Sequence, residues 1–507
     1  MTRSHLSNRA RHAAVKLRRG AAAMAVASLL GACSLQPIYH RPDAPVTGTY
    51  PAGAAYGPPG TGTLPATEIG WRDFLTDARL QRMVEIALAN NRDLRVAALT
   101  VRQVQAQYRI QRSTMFPQLS AGASEAASRT PGSVGSAGSV GSTGRAQVVH
   151  DYNVGLSASW QIDFFGRLES LKDQALQQYL ASAQARKAFE ILLVSQVADQ
   201  YLSMLAFDEF IAVTQRTLTA AQESLRLTQA MFQAGAGTEL AVAQAQTIVE
   251  LARANYTAQV RGRAQAENLL VLLIGQPLPA DLPPAVPLNA QAIVADIPEG
   301  LPSDLLTRRP DVMQAEALLR GANANIGAAR AAFFPAISLT GNLGTASAAL
   351  GGLFGAGSLA WSFLPSITAP IFTAGLLRAE LDVATLQKDI FVAQYEKSIQ
   401  VAFSEVANGL AARGTYTDQL ASMERYTAAE QRSLDLSVAM FKTGVADYLS
   451  VLTAQTLLYD AQMQLVATRL ARLTALVDLY QYLGGGWIER TGDAPRPADV
   501  VTGAHTP

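Results

Sequence analysis

Two periodicities take turns along this chain. From Asn153 to Asp163 apolar and small polar residues alternate strictly. Val154, Leu156, Ala158, Trp160 and Ile162 share one face; Asn153, Gly155, Ser157, Ser159, Gln161 and Asp163 share the other. A period of two predicts a strand with one apolar and one small polar face. The theme recurs where Ile337, Leu339 and Leu343 alternate with Ser338, Thr340 and Asn342. It recurs again where Trp361, Phe363 and Ile367 alternate with Ser362, Ser366 and Thr368. A weaker alternation runs from Pro117 to Ala126. The pattern predicts four strands, near 117–126, 153–163, 335–344 and 360–371. Each is roughly ten residues long, which suits a tilted membrane-spanning β-strand.

Each strand pair is followed by a long helical tract. Arg167 to Ala234 holds neither Gly nor Pro, and as one helix it would extend roughly 100 Å. Its counterpart, Leu376 to Thr443, has only Gly409 and Gly414 as weak points. Both tracts end in a small turn, Ala234-Gly235-Ala236-Gly237 and Thr443-Gly444-Val445-Ala446. A second unbroken tract then returns, Thr238 to Ile274 and Asp447 to Leu483. These are αα-hairpins longer than a globular domain can house. Leu180, Ala183, Ala188, Ile191, Val194, Val197 and Tyr201 sit at heptad-like positions with alanine abundant between them, as in tightly packed coiled coils. The polar positions between them suit helices with water on either side of a tubular wall. Helical patterning also runs from Asp77 to about Met115, where Phe116-Pro117 ends it. The Ser/Gly-rich stretch from Ala126 to Gln147 reads as a surface loop.

These elements are written twice. Asp93 aligns with Asp311, Phe116-Pro117 with Phe334-Pro335 and Ser120 with Ser338, at a shift of 218. Met231-Phe232 aligns with Met440-Phe441, Gly235 with Gly444, Ala245-Gln246-Thr247 with Ala454-Gln455-Thr456 and Gly275 with Gly484, at a shift of 209. The register changes where the first copy has its Ser/Gly-rich stretch. Two long copies imply a duplicated unit with internal pseudo-symmetry, not a solenoid.

The N-terminus is basic (Arg3, Arg9, Arg11, Lys16, Arg18, Arg19) and is followed by a short apolar run, Ala21 to Leu30. The run is too short to span a bilayer and reads as a secretory signal. It ends in Leu30-Gly31-Ala32-Cys33, which resembles the lipobox of bacterial lipoproteins. Cys33 is the only cysteine, so no internal disulfide forms, and its thiol is the expected site of a covalent lipid. Ser34, where an Asp would favour inner-membrane retention, points to the outer membrane. Residues 34–69, rich in Pro, Gly, Ala and Thr, read as an extended tether. Gln276 to Pro310 reads as an extended connector with a short helix from Pro302 to Thr307, and the tail after Trp487 as mobile.

Charged residues are 16% of the chain and the net charge is +1, without the basic footprint of a nucleic-acid binder. Length alone allows about three domains, but the repeat argues for one integrated architecture. His5, His12, His40, His150 and His505 show no metal-ligand spacing with one another or with the cysteine. No phosphate loop or nucleophile elbow is present. Neither catalysis nor a metal or cofactor, apart from the lipid on Cys33, is expected. Four strands cannot close a membrane barrel, since the smallest use about eight. An open sheet in lipid would leave backbone groups unsatisfied at several kcal/mol each. The chain is therefore expected to pool strands with other chains.

At this point the residues carry a family likeness. Cys33-Ser34-Leu35 with Tyr39-His40-Arg41-Pro42, Gly70-Trp71-Arg72-Asp73-Phe74, Asp77 with Leu80, and Ala89-Asn90-Asn91-Arg92-Asp93-Leu94 contribute to it. So do Asp163-Phe164-Phe165-Gly166-Arg167, Thr307-Arg308-Arg309-Pro310-Asp311 and Leu483-Gly484-Gly485-Gly486-Trp487. With these the chain resembles TolC-type outer-membrane efflux channels, in the OprM/NodT lipoprotein branch that works with resistance-nodulation-division pumps. The resemblance implies an α+β membrane protein: a homotrimer with a 12-stranded β-barrel continuing into a long periplasmic α-helical barrel. It implies a periplasmic adaptor (membrane fusion) protein and an inner-membrane pump as partners, and outer-membrane lipid around the barrel.

The division it implies is 1–32 signal peptide, 33–76 lipid-anchored extended segment, 77–275 first repeat with hairpin 167–275, 276–301 linker, 302–484 second repeat with hairpin 376–483, and 485–507 tail. Carried over, Phe232, Gly235, Thr238, Phe441, Gly444 and Asp447 belong to a periplasmic tip that docks the adaptor. The two glycines also serve as helix caps, and Asp447 as an N-cap. Leu449 matches an apolar ring at the pore constriction, while remaining equally a packing leucine. One turn on, where many relatives carry an aspartate, this chain has Thr453 (repeat partner Gln244), which puts a carboxylate gate in doubt. A coiled-coil scaffold would share the helices but not the strands or the lipobox. A channel for type I protein secretion or metal-ion export would share nearly everything, and no lumen motif separates the cargoes.

Overall fold

The two strand pairs join in one antiparallel sheet in the order β1-β2-β3-β4. The strands are β1 (Gln118–Thr130), β2 (Gln147–Ile162), β3 (Ala336–Ser347) and β4 (Leu359–Thr368). The computed structural model describes residues 34–58, 60–130, 147–294 and 297–494. The expected signal peptide, Cys33, most of the Ser/Gly-rich stretch and the end of the tail lie outside the described residues. The register lines up like with like. Leu156 faces Leu343, which faces Trp361; Ser157 faces Asn342, which faces Ser362. Asn342 Nδ2 donates to Ser362 Oγ at 3.1 Å. One face is thus an apolar ladder and the other a ladder of small polar groups. Pro365 lies in β4, the edge strand, where a missing N–H is tolerated.

Four strand boundaries differ from the sequence expectation by three residues or more; one is β3, which runs on to Ser347 and not only to about 344. β1 runs on to Thr130 and β2 begins at Gln147. His150 and Asp151 put polar side chains on both faces and hide the alternation, yet the backbone ladder needs no apolar face, and His150 Nδ1 lies 3.0 Å from Glu125 Oε1 across the pair. β4 stops at Thr368 and not near 371, because Pro370 supplies no ladder N–H.

Helices follow the same duplication. α1 (Trp71–Phe74), α2 (Ala78–Asn90) and α3 (Arg92–Ser113) precede β1; α4 (Arg167–Gln233) and α5 (Glu239–Ile274) follow β2. α6 (Leu305–Arg308) and α7 (Pro310–Ala331) precede β3; α8 (Leu376–Lys442) and α9 (Tyr448–Tyr482) follow β4. A 3₁₀ turn at Pro302–Asp304 leads into α6. α4 and α8 each run 67 residues without a break. The helical patterning from Asp77 to about Met115 is realised as two helices, divided at Asn91. Its Oδ1 accepts from the Leu94 N–H at 2.8 Å and starts the second helix. Gly409 and Gly414 do not weaken α8. A Cβ on Gly409 would meet Leu479 at 3.0 Å, and one on Gly414 would meet the Ala55 carbonyl oxygen at 2.4 Å, so both admit a close neighbour.

Chain contacts divide the protein into two units. One comprises the chain up to Arg41, Gln103–Tyr179 and Ala317–Val392; the other comprises Pro42–Arg102, Leu180–Glu316 and Ala393–Pro507. The first unit contains the sheet and the helix ends that enter and leave it. In it the segment after Ser34 lies along α7: Asn323 Nδ2 donates to the Pro37 carbonyl at 2.7 Å, and the Arg320 guanidinium sits 5.1 Å over the Tyr39 ring.

The second unit is held by a core under the chain ends. Phe74 stacks on Tyr480 at 4.0 Å, both essentially buried. Tyr480 Oη donates to the Ile69 carbonyl at 2.6 Å. Tyr50 stacks on Phe403 at 5.3 Å. Trp71 N–H donates to the Ile488 carbonyl at 3.0 Å, and Thr491 N–H to Asp73 Oδ2 at 2.8 Å. Two expectations are corrected here. The stretch 34–69 is extended but docked, not a loose tether, and the tail is bonded past Trp487 to at least Thr491. Pro- and Gly-rich sequence has no periodicity, so its long-range backbone bonds leave no local mark.

Each copy closes with the same joint in the second unit. The return helix ends in a left-handed glycine, Gly275 (φ 77°) or Gly484 (φ 84°). A Cβ there would lie 2.5 Å from the Asn90 carbonyl oxygen or 2.9 Å from that of Arg308. The next side chain donates back to the return helix: Asn91 Nδ2 to the Leu273 carbonyl at 2.8 Å, and Arg309 Nη1 to the Tyr482 carbonyl at 3.1 Å.

Candidate functional site: the hairpin tips

The tips of both hairpins lie in the second unit and are built by the same backbone device. Gly235 (φ 72°) and Gly444 (φ 75°) take the left-handed conformation that L side chains resist. Around them Ala236 N–H donates to the Met231 carbonyl, and Val445 N–H to the Met440 carbonyl, both at 2.9 Å. This double-backed turn satisfies the orphan carbonyls of the outgoing helix. The return helices are then N-capped. Thr238 Oγ1 accepts from the Ala241 N–H at 3.2 Å, and Asp447 Oδ1 from the Ser450 N–H at 3.1 Å and its hydroxyl at 2.8 Å. The bonds from Ser450 hold the Asp447 carboxyl below the usual carboxylate range.

Side chains then part company. Phe232 is 46% exposed, whereas Phe441 packs against Tyr448 with ring centroids 5.5 Å apart. Tyr448, Val451, Leu452 and Ala245 form a buried cluster between the hairpins, and Leu225, Ile248 and Val438 rest on it. Tyr448 Oη donates to Ser224 Oγ at 2.8 Å, which ties the second hairpin to the first. A cavity of about 380 Å³ opens beside the cluster, lined by Met231, Thr238, Leu240, Phe441, Asp447 and Leu449 among others. Three of the six tip residues, Thr238, Phe441 and Asp447, therefore line one cavity, while Phe232 and the Gly235 and Gly444 turns stand open to solvent. Leu449 is 52% exposed, so in a single chain it is not a packing leucine. Thr453 is exposed on the same helix and donates its hydroxyl to the Leu449 carbonyl at 2.9 Å.

The structure adds two clusters that sequence reasoning missed. Arg309 is nearly buried and pairs with Asp311 Oδ2 at 2.6 Å and Glu405 Oε2 at 2.7 Å. The Arg-Arg-Pro-Asp motif marked its place but not its role, because Glu405 is distant in sequence. Asp199 on α4 has a carboxyl pushed up to about 8, chiefly by burial and then by the charge of Asp478 on α9. Asp478 is itself raised by burial and then by Glu405. Asp199 Oδ1 is buried without a hydrogen-bond partner among the described residues. No motif in the sequence signals this pair.

Comparison with known proteins agrees with this geometry. The model of the outer membrane efflux protein family matches residues 83–276 and 301–485, one match on each copy of the repeat. The toluene efflux pump outer membrane protein TtgC of Pseudomonas putida is 46% identical over 477 residues, 94% of this chain and 97% of the relative. The outer membrane protein OprJ of Pseudomonas aeruginosa is 43% identical over 471 residues, 93% of this chain and 96% of the relative. The open-state MtrE outer membrane channel of Neisseria gonorrhoeae superposes with a TM-score of 0.80 at 38% identity, covering 91% of this chain and 100% of that one. The fold is that of the TolC-like outer-membrane channels, and the outer membrane is where the protein resides. The chain belongs to the outer membrane efflux protein family.

Proposed function

We propose that this protein is the exit duct of a tripartite efflux pump. It passes drugs or other small toxic compounds that an inner-membrane resistance-nodulation-division transporter delivers through a periplasmic adaptor. The observation that carries this reading is the sheet. β1 and β4 have no outer partner among the described residues, and the ladder is apolar on one face and small and polar on the other. Open edges in lipid are prohibitive, so copies of the chain share one barrel, and three copies supply twelve strands. Its small polar face lines the lumen. The duct stores no energy and does no chemistry; the pump supplies the driving force.

The hairpin tips are the adaptor's docking site. Phe232 and the Gly235 and Gly444 turns offer the outer contact, while Thr238, Phe441 and Asp447 hold the turns in shape. Leu449 and Thr453, exposed on α9, narrow the pore. Cys33 carries the lipid that anchors the chain. The names of the Pseudomonas relatives, which include toluene and antibiotic efflux pump proteins, support small organic toxicants as the cargo class. The test is accumulation of chemically different dyes and antibiotics in cells with and without this protein. Higher accumulation on deletion, reversed by the wild-type gene, is expected. Unchanged accumulation together with altered secreted protein would move the reading to protein secretion.

A further inference from the structure

The two helices at the ends of the strand order carry opposite charges at matching intervals. On α3, which feeds edge strand β1, Arg95, Arg102 and Arg109 recur every seven residues and are exposed. On α8, which leaves the other edge strand β4, Asp382, Asp389 and Glu396 recur every seven residues, the first two exposed and the third half-buried. Seven residues are close to two helical turns, so each triplet forms one row. Each row lies between the buried side of its helix and an exposed apolar stripe, marked by Leu99 and Ile110 on α3 and by Val383 and Ile390 on α8.

Resting on the pooled-strand reading above, we infer that these rows are the mating surfaces of neighbouring copies of this chain: Arg109 pairs with Asp382, Arg102 with Asp389 and Arg95 with Glu396 of the next copy.

The duplicated fold supplies the register. α7 and α4 are the repeat counterparts of α3 and α8, and they already pack together inside the first unit. A Cβ on Gly321 would touch Gln177 Cβ at 3.3 Å, and one on Gly327 would reach Ser170 Oγ at 2.6 Å. Shifted by the repeat, those contacts set Gln103 opposite Leu386 and Arg109 opposite Ala379 of the next copy. Asp382 is three residues beyond Ala379 in sequence, within one turn. Side chains lean toward the N-terminus of their own helix. In an antiparallel pair the Arg109 and Asp382 side chains therefore lean toward each other. The same three-residue offset brings Arg102 to Asp389 and Arg95 to Glu396. Because the helices are antiparallel, both rows fall on the same side of the apolar seam.

The internal joint has no such rows. The counterparts of the three arginines are Met313, Arg320 and Gly327, and those of the three acids are Asp173, Leu180 and Lys187. Opposed charges thus mark the joint between copies and not the joint within one, and a slipped register is penalised because it carries charges out of reach of their partners or leaves the end ones unpaired.

The test is a charge swap read by the mass of the detergent-extracted protein. Arg102→Glu with Arg109→Glu, and separately Asp382→Arg with Asp389→Arg, should each lose most of the oligomer at a temperature that leaves the wild type assembled. The fourfold variant should regain it. Arg102→Gln with Arg109→Gln, which adds no repulsion, should lose less, and its difference from the wild type should fade in high salt. A wild-type oligomer indifferent to every reversal, or a fourfold variant no better than the weaker double, would overturn the pairing alone. A monomeric wild type would overturn the pooled-strand reading and the pairing with it.

Discussion

The joint that closes the first repeat and the joint that closes the second are the same structure made with different side chains. In each, a left-handed glycine presses against a carbonyl and the following side chain donates back to the return helix. The first copy uses Asn91, a neutral amide that also starts α3. The second uses Arg309, which makes the same bond and adds ion pairs to Asp311 and Glu405. Backbone geometry outlasted the duplication, while the side chain that serves it changed in charge and reach. The hairpin tips repeat the lesson: two identical glycine turns, one capped by Thr238 and the other by Asp447.

Substitutions can break that comparison. The largest effect falls on the charged joint. Arg309→Ala leaves two carboxylates facing a space with no cation and should cost about 3 kcal/mol of stability in denaturant unfolding of the purified protein. Arg309→Asn, which rebuilds the first joint in the second copy, should recover only the part that the carbonyl bond carries.

Next comes the Asp199–Asp478 pair. The folded Asp199 carboxyl holds its proton to about pH 8, whereas the unfolded chain releases it near the ordinary aspartate value of 3.8. Between those limits the folded chain binds more protons than the unfolded one, so stability falls as pH rises and levels off above about 8. Asp199→Asn should raise the thermal midpoint at pH 8, by about 2 kcal/mol in stability, and change it little at pH 4. Equal effects at both pH values would count against the buried-acid account.

The neutral joint is weaker. Asn91→Ala should cost about 1–2 kcal/mol, because it strands the Leu273 carbonyl and removes a helix cap. If Asn91→Ala were as damaging as Arg309→Ala, the added ion pairs would contribute nothing. The smallest effects belong to the tips: Thr238→Ala should cost about 1 kcal/mol and Asp447→Ala should loosen the second turn in the same way, both confined to local opening at the turns and visible as faster amide exchange.

Much of this was legible in the sequence, and the reasons are physical. Strand alternation around Trp160 and the unbroken tract from Arg167 carry their periods openly, and Gly235 and Gly444 stand where helices must turn. The four strands and both hairpins follow from those signals. Boundaries set by backbone bonding alone were less visible, as where β2 reaches back through Asp151 and His150 to Gln147. Contacts between distant segments were not visible at all. Nothing near Pro37 announces Asn323, nothing near Thr491 announces Asp73, and Arg309 meets Glu405 only in the fold. For the candidate site, the turns and caps at the tips were readable because each is local. The burial of Phe441 beside an exposed Phe232 was not, because it depends on Tyr448 and the other hairpin.

The most direct test of the account is electrical. Purified protein in a planar bilayer should give discrete conductance steps, and Leu449→Ser should enlarge them by opening the constriction on α9. Steps of the same size in both proteins would remove Leu449 from the pore. Bilayers that stay silent with both proteins would contradict the claim that this chain forms a duct.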